Sequence, residues 1–221
     1  MASDPQLARM NPAPPEALLR MATDPSTEVR LSVAGHPDTP GDALSLLVWD
    51  PSAPVRAAVA MHEGLSPEQE DVLARDVDAQ VRQKVASRTG LHEGLLRRLA
   101  SDKAAGVRAA SGANPNMPSE LLTNLAADPE AIVRSRIAAN AASPPLVLHQ
   151  LGTDPDVQVR QGVARNPAAP EELLIRLAWD PAVEVRLAVA NHPTAPKEAL
   201  RALTSDREPL VWAALSRRTS A

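Results

Sequence analysis

The sequence predicts an all-α fold, an α-solenoid of about eight 26-residue repeats with two short helices in each. Three observations lead to this prediction. A valine-centred motif recurs every 26 residues, the 22 prolines fall at regular places within it, and aromatic residues are limited to three tryptophans. An internal period of roughly 20 to 50 residues indicates a stacked array of repeats.

The motif keeps one phase through the chain. Its central valines are Val29, Val55, Val81, Val107, Val133, Val159, Val185 and Val211. Five positions before them stand Asp24, Asp50, Asp76, Asp102, Asp128, Asp154, Asp180 and Asp206. The first seven valines are followed by Arg30, Arg56, Arg82, Arg108, Arg134, Arg160 and Arg186, and the eighth by Trp212. Equivalent positions in successive repeats therefore carry equivalent side chains.

The seventh repeat shows why each copy is expected to hold two helices. Residues 170–178 begin with proline and two glutamates, as helix starts do, and their leucines fall on one face. Asp180 followed by proline predicts an N-cap for the second helix, which carries Val185 and Val189 four residues apart. That helix should stop at His192, because the residue before a proline is driven to an extended conformation.

Helices this short cannot stand alone, because isolated helices of fewer than about 12 residues are marginal in water. Neighbouring repeats must cover their apolar faces, which is how solenoids are stabilised. We therefore predict a single helical repeat domain over residues 1–221. It would comprise an N-terminal partial repeat or cap (1–13), eight repeats (14–217) and a short tail (218–221).

The third repeat departs from the pattern. Gln69 and Glu70 occupy the positions where other repeats have two leucines. We expect the helix there to shift its register so that Val72 and Leu73 face the core.

Composition narrows the class of protein. The chain has no cysteine, which excludes disulfides, thiolate metal sites and a cysteine nucleophile. A net charge of −4 disfavours a nucleic-acid partner, although a local basic stripe would be compatible with it. The N-terminus lacks the apolar core of a signal peptide and no stretch approaches the length of a membrane span, so a cytoplasmic location with no membrane partner is expected.

The repeat resembles a known family. The pattern Asp-Pro-x-x-x-Val-Arg-x-x-Val-Ala-x-Asn-Pro-x-x-Pro-x-x-Leu-Leu-x-x-Leu-Ala is similar to that of the leucine-rich-repeat variant family of bacterial proteins, most clearly over residues 128–151 and 154–178. The resemblance implies a right-handed superhelix in which α-helices alternate with 3₁₀-helices, so each repeat would pair α with α or α with 3₁₀. HEAT-type repeats fit the Asp-Pro…Val-Arg half nearly as well. The iron–sulfur module of some family members needs cysteines that this chain lacks.

The seven recurring arginines are the most suggestive candidate site. Aligned on one surface, their guanidinium groups would bind phosphates or carboxylates. Alternatively, each arginine pairs with a recurring aspartate or with helix-end carbonyls of a neighbouring repeat. The equal regularity of arginine and aspartate favours this structural interpretation, and the eight aspartates are expected to be helix caps.

The tryptophans and three of the histidines form two smaller sets of candidate residues. Trp49 and Trp179 occupy a position that accepts threonine, serine, arginine or alanine in other repeats, and with Trp212 they are candidate binding anchors. His36, His62 and His192 share one repeat position with asparagines, and this position precedes proline in several repeats. Zinc requires three or four converging ligands, and a third is not evident, so we expect a turn position and no metal site.

No catalytic motif stands out, and we predict no enzymatic activity and no cofactor. The favoured function is a scaffold for protein–protein interaction with an unidentified partner, and the alternative is phosphate or nucleic-acid binding through the arginines. The apolar residues Leu210, Val211 and Trp212 also suggest an end-to-end homodimer.

Overall fold

The computed structural model describes residues 13–219, and over that range all regular secondary structure is α-helical. The sixteen helices of this range are α1 (Pro15–Met21), α2 (Thr27–Ala34), α3 (Gly41–Leu47), α4 (Ala53–Ala60), α5 (Pro67–Leu73), α6 (Ala79–Ala86), α7 (Glu93–Ala100), α8 (Ala105–Gly112), α9 (Ser119–Leu125), α10 (Ala131–Ala139), α11 (Pro145–Leu151), α12 (Val157–Arg165), α13 (Glu171–Leu177), α14 (Val183–Asn191), α15 (Lys197–Leu203) and α16 (Pro209–Thr219). The predicted cap over residues 1–13 lies, apart from Ala13, outside the described residues, as do residues 220–221 of the predicted tail.

Each repeat contributes one odd-numbered and one even-numbered helix, which confirms the all-α class and the two-helix repeat. Both helices have α geometry, so the pairing is α with α. Geometry of the 3₁₀ type is confined to single turns between helices, where backbone N–H groups bond three residues back. After α3, for example, the Trp49 N–H donates to the Leu46 carbonyl at 3.2 Å and the Asp50 N–H donates to the Leu47 carbonyl at 3.1 Å.

Proline sets the start of most odd-numbered helices. It occupies the N-cap position of α1, α3, α9, α11, α13 and α15, in an extended conformation that ends the preceding turn. In α5 the N-cap is Ser66, whose hydroxyl accepts from the Gln69 N–H while the Gln69 side chain accepts from the Ser66 N–H. This reciprocal capping box satisfies two backbone donors that would otherwise lack partners.

The chain divides into two compact units, Met1–Leu99 and Ala100–Ala221, which are described separately. In the N-terminal unit α2, α4 and α6 pack one on the next, and each also contacts the odd-numbered helix of its own repeat. In the C-terminal unit α8, α10, α12, α14 and α16 pack in the same manner. The cores consist of leucine, valine and alanine, and Leu44, Val59, Leu148 and Val163 are completely buried.

Small residues allow the even-numbered helices to approach closely. A Cβ atom on Gly162 of α12 would lie 3.0 Å from the Ala138 Cβ and 3.1 Å from the Ser135 carbonyl oxygen of α10. Only glycine fits at this distance without displacing the neighbouring backbone. The near absence of aromatic residues follows from this thin spacing.

The predicted register shift in the third repeat is wrong. Helix α5 keeps the position of its counterparts, with Leu73 fully buried at the place that Leu47 occupies in the second repeat, while Val72 is only half-buried. The helix keeps its register because Glu70, which occupies a leucine position, forms an ion pair with Arg88 at 3.1 Å. Both side chains are mostly buried. A buried charge is tolerated in a core when a partner of opposite charge and further hydrogen bonds satisfy it.

Candidate functional site

The recurring arginines bind the recurring aspartates of the following repeat. In the N-terminal unit the pairs are Arg30–Asp50 and Arg56–Asp76, and in the C-terminal unit they are Arg108–Asp128, Arg134–Asp154, Arg160–Asp180 and Arg186–Asp206. Each contact is bidentate, with Nε to Oδ2 at 2.6–2.7 Å and Nη2 to Oδ1 at 2.9–3.2 Å. We call this set the Arg–Asp ladder.

The third guanidinium nitrogen of each ladder arginine bonds within its own repeat. Arg134 Nη1, for example, donates to the carbonyl oxygens of Asp128 at 2.8 Å and Pro129 at 3.0 Å. Arg82 does the same with Asp76 and Val77, and it is 6% exposed. In the six pairs the arginine side chains are 11–18% exposed and the aspartates 3–7%. Each guanidinium thus joins its own loop to the next repeat.

The pKa values of the paired side chains agree with this geometry. Burial is the largest influence on the pKa of Asp154 and acts to raise it, but the hydrogen bonds from Arg134 and the Asp156 N–H, with the two nearby guanidinium charges, outweigh burial and lower the pKa. The pKa values of Asp50, Asp76 and Asp128 are lowered in the same way, and at Asp206 the hydrogen bond from Arg186 is the largest cause of the lowering. The hydrogen bond to Asp154 raises the pKa of Arg134. The five pairs that contain these aspartates are therefore fully charged at neutral pH.

The aspartates cap a turn and not the helix position that the sequence predicted. Oδ1 of each accepts from the backbone N–H two residues later, at 2.8–2.9 Å in all eight repeats. The accepting carboxylate precedes the true N-cap, which is Ser52 for α4 and Asp156 for α12. Each aspartate therefore fixes the loop that enters an even-numbered helix, and in the six pairs it also holds the arginine of the preceding repeat.

A second ladder, which the sequence analysis missed, occupies the turn after the even-numbered helices, at the position that the asparagines and histidines share. Asn140 Nδ2 donates to the carbonyl oxygens of Gly112 and Asn114 in the preceding repeat, at 2.7 and 2.9 Å, and Asn166 makes the same pair of contacts one repeat later. Arg88 Nη1 does the same with Ala60 and His62, at 3.0 and 2.6 Å. The sequence contains a pattern that predicts this ladder. Asparagine, histidine and arginine recur at this position with a spacing of 26 residues, and they share only an N–H donor on a side chain long enough to reach the preceding repeat.

The histidines at this position are part of the second ladder. His62 Nδ1 accepts from the Gly64 N–H at 3.0 Å, which leaves the proton on Nε2, and Nε2 donates to the His36 carbonyl oxygen at 3.0 Å. His192 contacts the Asn166 carbonyl oxygen in the same manner at 2.9 Å. Both ring nitrogens are thus occupied by backbone groups. Across residues 13–219, no cluster of three or more His, Cys, Asp or Glu side chains could hold a metal ion.

Trp49 and Trp179 belong to neither ladder and lie outside the core. Their side chains are 71% and 68% exposed. The same position is alanine at residue 127 and threonine at residue 153, and both of those repeats have the standard two-helix structure. Packing therefore does not require tryptophan at this position.

Each of these tryptophans borders a shallow groove next to the Arg–Asp ladder. The Trp49 groove, of about 600 Å³, is further lined by Val48, Asp50, Pro51, Arg56, Asp71, Val72, Arg75, Asp76 and Val77. The Trp179 groove, of about 410 Å³, is further lined by Ala178, Asp180, Arg186, Ala202, Ser205, Asp206, Arg207 and Glu208. The grooves are equivalent in position and each is lined by three carboxylates and two arginines, but these charges are not all at equivalent positions.

The last repeat carries a separate apolar patch. Leu210 and Trp212 are 63% and 58% exposed, whereas Val211, grouped with them in the sequence analysis, is fully buried. Trp212 and Leu215 line a small pocket with Thr204 and Ser216. An end-to-end homodimer through this face stays a prediction.

No helix in the described part of the chain is both long and apolar enough to cross a membrane.

Stacked helix pairs joined by two side-chain ladders define a helical repeat protein, and comparison with known proteins specifies the family. The model of the leucine rich repeat variant family matches residues 27–52 and 183–208. A solved structure described as a leucine-rich repeat variant with a novel repetitive protein structural motif is 32% identical, with a TM-score of 0.68, over 96% of this chain and 85% of that one. The chain belongs to the leucine-rich repeat variant family, which confirms the resemblance found in the sequence.

Other comparisons add little. An engineered protein from a structural genomics consortium matches over 97% of this chain and 82% of its own at 16% identity, but its TM-score is 0.40. Among curated proteins there is no significant match.

Proposed function

We propose that this chain is a non-enzymatic scaffold that binds another protein through exposed side chains of its repeats. Its family and its helical repeat fold are those of interaction scaffolds, in which a regular framework presents an extended surface. The framework here is the pair of ladders, and the variable residues are those that the ladders do not use.

The observation that carries the proposal is the exposure of Trp49 and Trp179 at a position where alanine or threonine suffices. Tryptophan is among the residues most enriched at the energetic centres of protein interfaces. An exposed tryptophan places a large apolar surface in water and gains no packing contacts that would offset its cost. Recognition of a partner protein is therefore the better explanation of its presence.

The alternative, phosphate or nucleic-acid binding through the ladder arginines, requires exposed and unpaired guanidinium groups. In the six pairs described, every guanidinium nitrogen bonds to the ladder carboxylate or to a backbone carbonyl, and the side chains are at most 18% exposed. Binding a phosphate would break the inter-repeat contacts. We therefore do not favour this function.

The test is affinity capture from a native lysate with immobilised protein, followed by titration of each purified candidate. The proposal predicts at least one protein that binds saturably. Binding should weaken when Trp49 and Trp179 are both replaced with alanine, and it should be unchanged when exposed Arg136 is replaced. Retention of nucleic acid alone, or of no saturable protein, would contradict it.

A further inference from the structure

Trp49 lies in the most acidic part of the chain. Residues 41–80 contain eight carboxylates and two arginines, whereas the equivalent window five repeats later, residues 171–210, contains seven carboxylates and five basic residues. Two of the eight carboxylates, Asp50 and Asp76, are neutralised in the Arg–Asp ladder. The excess of negative charge therefore belongs to the other carboxylates of the segment.

Most of this excess is unpaired and close to the groove. Within residues 13–219, no ion pair involves Asp42, Glu63, Glu68 or Asp78. Asp42 and Glu68 stand in the first turns of α3 and α5, whose last turns border the groove. A seven-residue helix is about 10 Å long, which is about one Debye length at physiological ionic strength. The groove thus lies within a segment that has an excess of negative charge.

The walls of the Trp49 groove suit a long cationic side chain. Val72 and Val77 offer apolar surface to the methylene groups of arginine or lysine, and Val77 is 90% exposed. The indole face of Trp49 attracts a cation placed over it. Asp71 is held only by an exposed pair with Arg75, with the two side chains 41% and 56% exposed, so its carboxylate is accessible to an incoming guanidinium.

Two positions of the second groove carry a positive charge that the first groove lacks. Arg201 replaces Asp71, and Arg207 replaces Val77 on the groove wall. A cation placed on Trp179 would therefore meet Arg207 on the groove wall and Arg201 near it. The first groove has Arg75 where the second has Ser205, but Arg75 is already paired with Asp71. The chain thus contains its own control: the same tryptophan position with Arg201 and Arg207 in place of Asp71 and Val77.

We propose that the Trp49 groove binds a basic segment of the partner protein, with an arginine or lysine side chain stacked on the Trp49 indole and its charge directed to Asp71. This inference rests on the proposed scaffold function and specifies the chemistry of the partner. Neighbouring basic residues of the segment would interact with the unpaired carboxylates around the groove, so binding should weaken as salt rises.

The test is isothermal titration calorimetry of the full chain with a 12-residue peptide of alternating arginine and glycine, using an alternating glutamate–glycine peptide as the charge-reversed probe. The arginine peptide should bind and the glutamate peptide should not. Trp49→Ala should weaken binding roughly five- to thirtyfold, as expected for a cation–π contact. Trp179→Ala, at the equivalent position of the other groove, should change it less than twofold.

A second variant tests the charge. Val77→Arg places at the first groove the residue that the second groove has, and it should weaken binding at least as much as Trp49→Ala. Position 77 is almost fully exposed, so an unchanged thermal midpoint is expected and would show that the variant is folded. Equal affinities for Trp49→Ala and Trp179→Ala, or binding of the glutamate peptide, would overturn the inference.

The failures of the two proposals are distinguishable. A captured protein whose binding is insensitive to Trp49→Ala and Val77→Arg would leave the scaffold function in place and overturn the basic-segment inference. Absence of any saturable protein partner, together with absence of peptide binding, would overturn both.

Discussion

Replacing Arg134 with alanine should destabilise the C-terminal unit by about 3 kcal/mol. The substitution removes two bonds to Asp154, at 2.7 and 3.0 Å, and two to the carbonyl oxygens of Asp128 and Pro129. The Asp154 carboxylate, only 7% exposed, would keep only the Asp156 N–H as a close hydrogen-bond donor. Removing one partner of a buried pair costs about 3–5 kcal/mol, and the low end applies because the Arg134 side chain is 14% exposed.

The assay is thermal unfolding followed by circular dichroism. For a chain of this size, about 3 kcal/mol corresponds to a fall in Tm of roughly 6–12 °C. Arg136→Ala is the matched control: it lies two residues further along α10, is exposed, and should change stability by less than about 0.5 kcal/mol. Equal midpoints for the two variants, or a loss below about 1 kcal/mol for Arg134→Ala, would refute the structural role of the ladder.

Three further predictions follow from the same contacts. Five ladder carboxylates, those of Asp50, Asp76, Asp128, Asp154 and Asp206, have lowered pKa values in the folded state. The stability that they contribute is therefore complete above the unfolded pKa of about 3.9 and is lost as pH falls through the folded pKa values. The urea midpoint should thus be flat from about pH 7 to 5 and should fall below about pH 4. Glu70→Leu and Arg88→Asn should each lower the urea midpoint, because each leaves one charge unpaired. The double variant should have a urea midpoint equal to or above that of the unchanged protein, and a double-mutant cycle would measure this coupling. Asn166→Ala should cost about 2 kcal/mol in urea unfolding because two buried carbonyls lose their donor, and Asn166→His should recover part of it.

The contradicting outcomes differ among the three. A urea midpoint that stays level down to pH 2 would show that the carboxylates are not stabilised by their partners. Additive effects of Glu70→Leu and Arg88→Asn would show that the two side chains do not depend on each other. A stable Asn166→Ala variant would show that the second ladder is dispensable.

Periodicity made the fold predictable. A valine, an aspartate and an arginine held at fixed spacing specify the repeat length, and the short proline-bounded apolar runs specify two helices per repeat. The pairing of Arg134 with Asp154 was one of two open interpretations, because spacing alone shows that residues recur together and not whether they touch. The bond spans 20 residues and joins successive repeats, so it depends on how the repeats stack.

The features of the fold that the sequence predicted wrongly depend on atomic geometry. The N-cap was placed at Asp180 because Asp-Pro is a common helix start, but the carboxylate instead accepts the N–H of Ala182 and the helix begins one residue later. The register shift in the third repeat was inferred from Gln69 and Glu70 without regard to their partners. Arg88, 18 residues away, makes that shift unnecessary, and a local reading of the helix cannot include so distant a partner.

The central claim is that the recurring arginines hold the repeats together and do not contact ligands. The most direct measurement is hydrogen exchange at the arginine Nε–H groups, followed by nuclear magnetic resonance with assigned side-chain signals. The ladder arginines should give Nε–H signals that exchange slowly at neutral pH and do not move on addition of inorganic phosphate, while exposed Arg136 exchanges fast. Ladder signals that exchange as fast as that of Arg136, and shift with phosphate, would contradict the claim.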